Sequence, residues 1–129
     1  MTELPILDPE AIANLRALGG DDGDAFLREI VGIFLADTPL RLEELDSSLA
    51  SGDANRFTRA AHSIKGSSSN LGALALQFAA NRLEARSREN APGLESGVAD
   101  LKAEFQRAKA ALGRLLEAAA PVPPAALQR

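Results

Sequence analysis

Apolar residues recur along most of this chain at intervals of three and four, the period of a helix with one buried face. Asp8-Pro9, a capping acid before a proline at the first helical position, opens a first helix through Ile12 and Leu15 that stops at Gly19-Gly20. A second starts at Asp22 to Asp24 and runs to Ser51, with Leu27, Ile30, Phe34, Leu42, Leu45 and Leu49 in one stripe. Pro39 falls inside it; because the stripe keeps its phase, the pattern predicts a kinked continuous helix rather than two. Gly52-Asp53 ends that helix and caps a third, whose inner side carries Phe57, Ala60, Ala61, Ile64 and Ser68 up to Asn70-Leu71-Gly72. A fourth spans Ala73 to Glu89 with Leu76, Ala79, Ala80 and Leu83 inward. After Asn90-Ala91-Pro92-Gly93 a fifth carries Leu94, Val98, Leu101, Phe105, Ala108, Leu112, Leu115 and Ala119.

No stretch alternates with the period of a strand. The prediction is therefore an all-α fold: an antiparallel four-helix, up-and-down bundle with a short additional N-terminal helix, over residues 1–120. Residues 121–129, rich in proline, are expected to form an extended or disordered tail.

Composition narrows the function. The 129 residues include no Cys, which excludes disulfides and thiolate metal sites, and one His gives no metal shell without them. A net charge of −4 with only five aromatics, all Phe, argues against a nucleic-acid surface. No apolar run reaches the roughly 20 residues that span a bilayer, and the first residues lack a secretory pattern. The expectation is a cytoplasmic monomer; Met1 and a tail past the last helix fit a free-standing protein.

The chemistry concentrates at the sole histidine. His62, Lys65 and Ser69 share a helix face with Thr58 and Gly66, away from the apolar stripe. Lys65 brings an ammonium beside anything attached to His62, and Gly66 removes the side chain that would crowd the ring, at a cost of about 1 kcal/mol of helix stability. An accessible imidazole beside a cation suits an incoming anionic group, a phosphoryl group above all. If the third and fourth helices pair about the turn at Asn70 to Gly72, His62 is level with Glu84, Gly66 with Ala80, and Ser69 with Gln77. The Glu84 carboxylate then accepts from Nδ1–H and leaves Nε2 as the free nucleophile, while Gly66 and Ala80 let the helices approach closely. Plainer readings stand beside these: Lys65 as a solvated charge, Ser67 to Ser69 as ordinary helix-end residues, Glu84 as a partner of Arg88. Phe26 and Ile33 fit core packing as well as docking. No Gly-x-x-x-x-Gly-Lys loop is present for ATP.

The run from Ala61-His62-Ser63-Ile64-Lys65-Gly66 through Asn70-Leu71-Gly72-Ala73, followed by Leu83-Glu84, resembles the signature of histidine-containing phosphotransfer (HPt) domains. The resemblance extends to the Phe-Leu and Arg-Leu-Glu-Glu-Leu segments of the second helix and to Gly52-Asp53. It implies a carrier without kinase or nucleotide-binding activity of its own. His62 would take a phosphoryl group from an aspartyl phosphate and pass it on. Receiver domains of response regulators and of hybrid sensor histidine kinases would be the partners, and the receiver would supply Mg²⁺. By position, Lys65 would neutralise charge, Gly66 keep space, and Glu84 and Ser69 support the ring, Glu84 standing where relatives often carry Gln. Ile12, Leu15, Phe26 and Ile33 are candidates for an apolar docking patch. The competing reading is a helical adaptor that binds receivers without transferring phosphate.

Overall fold

A computed structural model describes residues 5–119. The tail at 121–129 and the domain limits at 1 and 120 lie outside those residues. Five helices follow one another: α1 (Pro9–Leu18), α2 (Gly23–Ser51), α3 (Ala54–Leu71), α4 (Leu74–Arg88) and α5 (Leu94–Ala119). A 3-10 turn at Gly20–Asp22, absent from the periodicity, joins α1 to α2. The described residues form no strand. The fold is the predicted all-α bundle: α2 to α5 make its four long helices and α1 is the addition.

The capping acids act as the pattern predicts. Asp8 accepts the Glu10 N–H at 3.0 Å, Asp22 the Ala25 N–H at 3.1 Å, and Asp53 the Arg56 N–H at 3.1 Å. Gly52 and Gly72 close α2 and α3 in the left-handed region, at φ 76° and 75°. Helix α2 runs unbroken through Pro39, which is exposed to solvent.

The buried seam of α2 differs from the expected stripe. Leu27, Val31, Phe34, Thr38, Leu42, Leu45 and Ser48 face inward, whereas Ile30 and Leu49 are half-buried at the margins. Thr38 and Ser48 are polar, so hydropathy passes over them. Both are nevertheless enclosed, and the Ser48 hydroxyl donates to the Glu44 carbonyl within its own helix. Across the core, α3 packs most extensively on α4 and then on α2. Ala60, Ala61 and Ala80 are fully enclosed between α3 and its neighbours. The α5 stripe packs as expected, with Val98, Leu101, Phe105, Ala108 and Leu112 buried and the Phe105 ring 5.8 Å from that of Phe34.

Helix α1 is fastened over the α3–α4 turn. The Asp8 N–H donates to the Gly72 carbonyl at 2.8 Å, and a Cβ on Gly72 would stand 2.6 Å from that of Ala11. Ile12 is only 3% exposed, which corrects its assignment to a docking patch. A short amphipathic helix gives no sign from sequence of which way its apolar side turns; here that side completes the core.

Candidate functional site

Helices α3 and α4 are joined only by Gly72 and Ala73, so they lie antiparallel and their register is nearly dictated. That register brings His62 and Glu84 together: Nδ1 and Oε2 are 2.9 Å apart. The two ends of this hydrogen bond differ sharply in setting, since the His62 side chain is 62% exposed and that of Glu84 is 5% exposed.

Glu84 gathers more than the ring. The Lys65 ammonium lies 2.6 Å from Oε1, and Arg88 reaches back one turn to place Nη2 2.6 Å from Oε2. Oε1 is buried and makes no well-aligned hydrogen bond, so it is satisfied by the proximity of the ammonium charge. Burial on its own pushes the Glu84 carboxyl up; the Lys65 ammonium against Oε1 and the hydrogen bonds from Arg88 and His62 to Oε2 outweigh it and hold the group down at about 2. The carboxylate is therefore ionised at neutral pH and is purely an acceptor. In the neutral ring Nδ1 then carries the hydrogen between them, and the lone pair lies on Nε2 at the opposite edge.

Sequence reasoning reached this pairing and stopped short of its extent. Lys65 looked like a free cation for an incoming group, and Arg88 like a competing partner for Glu84. Both cations hold the same carboxylate that holds the ring. Only the packed side chains reveal the sharing, since helical spacing places Lys65 beside His62 without saying which way its stem folds.

Gly66 needs a correction. A Cβ there would meet nothing within 4 Å, so its lack of a side chain does nothing for the approach of α3 to α4. Ala80, by contrast, is fully buried in the core. Gly66 instead leaves the surface one turn beyond His62 bare. Ser69 is exposed, and seven residues on it stands about 10.5 Å further along the helix axis, out of reach of the ring. Ser67 and Ser68 bond back to the Ile64 carbonyl, as hydroxyls near a helix end commonly do.

The remaining docking candidates separate. Leu15 and Ile33 line a largely apolar hollow of about 250 Å³ with Ile30, Phe34 and Leu71, edged by Asp37 of α2 and by Ser67 and Asn70 near the end of α3. Ile33 is 60% exposed. Phe26 is half-buried against the α1–α2 connection, where a Cβ on Gly19 would stand 2.7 Å from its own, and does not line that hollow. Leu18, Leu40 and Phe78, none of them anticipated, are also well exposed. Among the described residues no group of three or more His, Cys, Asp or Glu is placed to hold a metal ion, and no helix is long and apolar enough to cross a membrane.

Comparison with known proteins agrees with this geometry. The family model for the Hpt domain matches residues 29–117. The crystal structure of histidine-containing phosphotransfer protein B (HptB) from Pseudomonas aeruginosa PAO1 superposes with a TM-score of 0.78. The two are 27% identical, over 89% of this chain and 97% of that one. No curated protein matches the chain. The family match takes in α3, α4, most of α2 and nearly all of α5, and on that ground the chain belongs to the Hpt domain family.

Proposed function

We propose that this chain carries a phosphoryl group on Nε2 of His62 and relays it between aspartates of receiver domains in a multistep His–Asp phosphorelay. One observation carries the reading: the sole histidine is anchored at Nδ1 by a buried, ionised carboxylate while its other edge faces solvent beside the bare Gly66.

In the forward step the Nε2 lone pair attacks phosphorus in line. The P–N bond forms as the bond to the aspartyl oxygen breaks, and the aspartate leaves as a carboxylate. The ring becomes cationic, and its Nδ1–H, already directed at Glu84, is stabilised there. Lys65, anchored on the same carboxylate, offers a positive charge to the transferring oxygens. The divalent metal belongs to the receiver. The reverse step runs through the same groups, because both phosphorylated species are high in energy.

Incubating the chain with a panel of phosphorylated receiver domains tests the reading. The expected outcome is acid-labile, base-stable label on the wild type and none on His62→Gln. Stable binding of receivers with no label would favour the adaptor.

A further inference from the structure

Toward the start of α3, the surface beside His62 holds a feature that phosphoryl transfer leaves unused. A hollow of about 670 Å³ opens between the first turns of α3 and the end of α4, lined by Asn55, Thr58, Arg59, Ser87, Arg88 and Asn90. Its lining offers two guanidinium groups, two carboxamides and two hydroxyls, and no carboxylate. Thr58 donates to the Ala54 carbonyl at 2.9 Å, so the 2.6 Å contact between the hydroxyls has Ser87 donating to Thr58. The hydroxyls are thus committed to the wall, which leaves Arg59 and the N–H groups of Arg88 that Glu84 does not hold for a ligand. Arg88 is tied to the Glu84 oxygen that also accepts from His62, and Arg59 stands one turn before His62. Arg59 is exposed and has no carboxylate within 4.0 Å among the described residues.

The charge around this hollow opposes that of the chain. Residues 54–88 hold six basic side chains and one acidic one, a net +5, inside a protein whose total is −4. Helix α3 contains no acidic residue at all. On the opposite flank of His62, toward the end of α3, lies the apolar hollow of Leu15, Ile30 and Ile33. The histidine therefore stands between a basic, polar recess and an apolar one.

We propose that the recess is a carboxylate-recognition subsite: an acidic side chain of the receiver, beside its phosphorylated aspartate, seats against Arg59 and Arg88 and sets the orientation in which the partner meets His62. The assignment rests on the phosphotransfer reading above. Charge complementarity selects the occupant, because the basic field draws in an acidic surface and a guanidinium pairs with a carboxylate in two parallel hydrogen bonds. Two chemically different recesses flanking the histidine let such a partner dock one way round only.

The test compares Arg59→Glu and Arg59→Ala with Arg114→Glu, an equal charge reversal at an exposed position on α5. Each is assayed for uptake from a phosphorylated receiver that labels the wild type, at low and at physiological ionic strength. Each is also assayed for labelling of His62 by phosphoramidate, which needs no partner. Arg59→Glu is expected to slow uptake from the receiver about tenfold at low salt, through KM rather than kcat, and to flatten the salt dependence. Arg59→Ala falls between, Arg114→Glu stays near wild type, and phosphoramidate labels all four proteins equally. Uptake by Arg59→Glu no slower than by Arg114→Glu overturns the subsite while leaving phosphotransfer intact. So does a fall in phosphoramidate labelling in step with uptake, since Arg59 would then act on the ring's chemistry. Wild-type protein unlabelled by every receiver in a panel removes the phosphotransfer reading and the subsite with it.

Discussion

At the scale of single residues, Glu84 is the centre of the site, and its ionisation has a measurable sign. The carboxyl titrates near 4.5 in an unfolded chain and near 2 in the folded one, so the folded state binds fewer protons between those values. The stabilisation is complete above the unfolded value and is lost as pH falls from about 4.5 to about 2. The shift corresponds to at most about 3 kcal/mol, reduced by the exposure of Arg88 and His62. Urea titrations from pH 5 to pH 2 should show Glu84→Gln losing less stability on acidification than the wild type. At neutral pH the same variant should be the weaker protein, because two cations then share a neutral oxygen. Gly66 gives the complementary case. Its open surroundings predict that Gly66→Ala gains about 1 kcal/mol of helix stability, read from the denaturation midpoint. Gly66→Gln should fold equally well and lose phosphoryl uptake, because its side chain covers the ring. The pairing of His62 with Glu84 was legible because a two-residue turn leaves one register for the hairpin. The sharing of Glu84 with Lys65 and Arg88 was not, since several side-chain conformations satisfy the same spacing.

At the scale of elements, caps and periodicity located every helix to within a residue or two, because Asp8, Asp22, Asp53 and the glycines at 52 and 72 leave the chain few other choices. What hydropathy misplaced was the inward face of α2, where Thr38 and Ser48 take seam positions that a count of apolar residues awards to Ile30 and Leu49. Ile12 has a different cause: the pattern of a helix as short as α1 does not say which way its apolar side turns, and here that side completes the core. The α1 clasp can be tested by comparing two glycines of equal backbone geometry. Gly52→Ala meets only the cost of a left-handed alanine, roughly 1–2 kcal/mol, because nothing lies within 4 Å of the added Cβ. Gly72→Ala carries that cost and also drives a methyl group into Ala11. Its chemical denaturation midpoint should fall clearly below that of Gly52→Ala; equal midpoints would show that α1 yields without penalty.

At the scale of the whole molecule, the bundle was legible because four long amphipathic stripes with short connections admit few other packings. The polarity of the molecule was less so: a total of −4 conceals a basic hairpin set in an acidic frame. The placing of the histidine adds a consequence of another kind. His62 projects from the exposed face of α3, and neither hollow beside it encloses the ring. A phosphoryl group there would stand in solvent, with no enclosing wall among the described residues. If the chain carries that group as proposed, it would hold it only as long as the bond survives in solvent. On the phosphotransfer proposed above, its output would follow the present supply of phosphoryl groups, and the duration of a response would be decided in the partners rather than in the carrier.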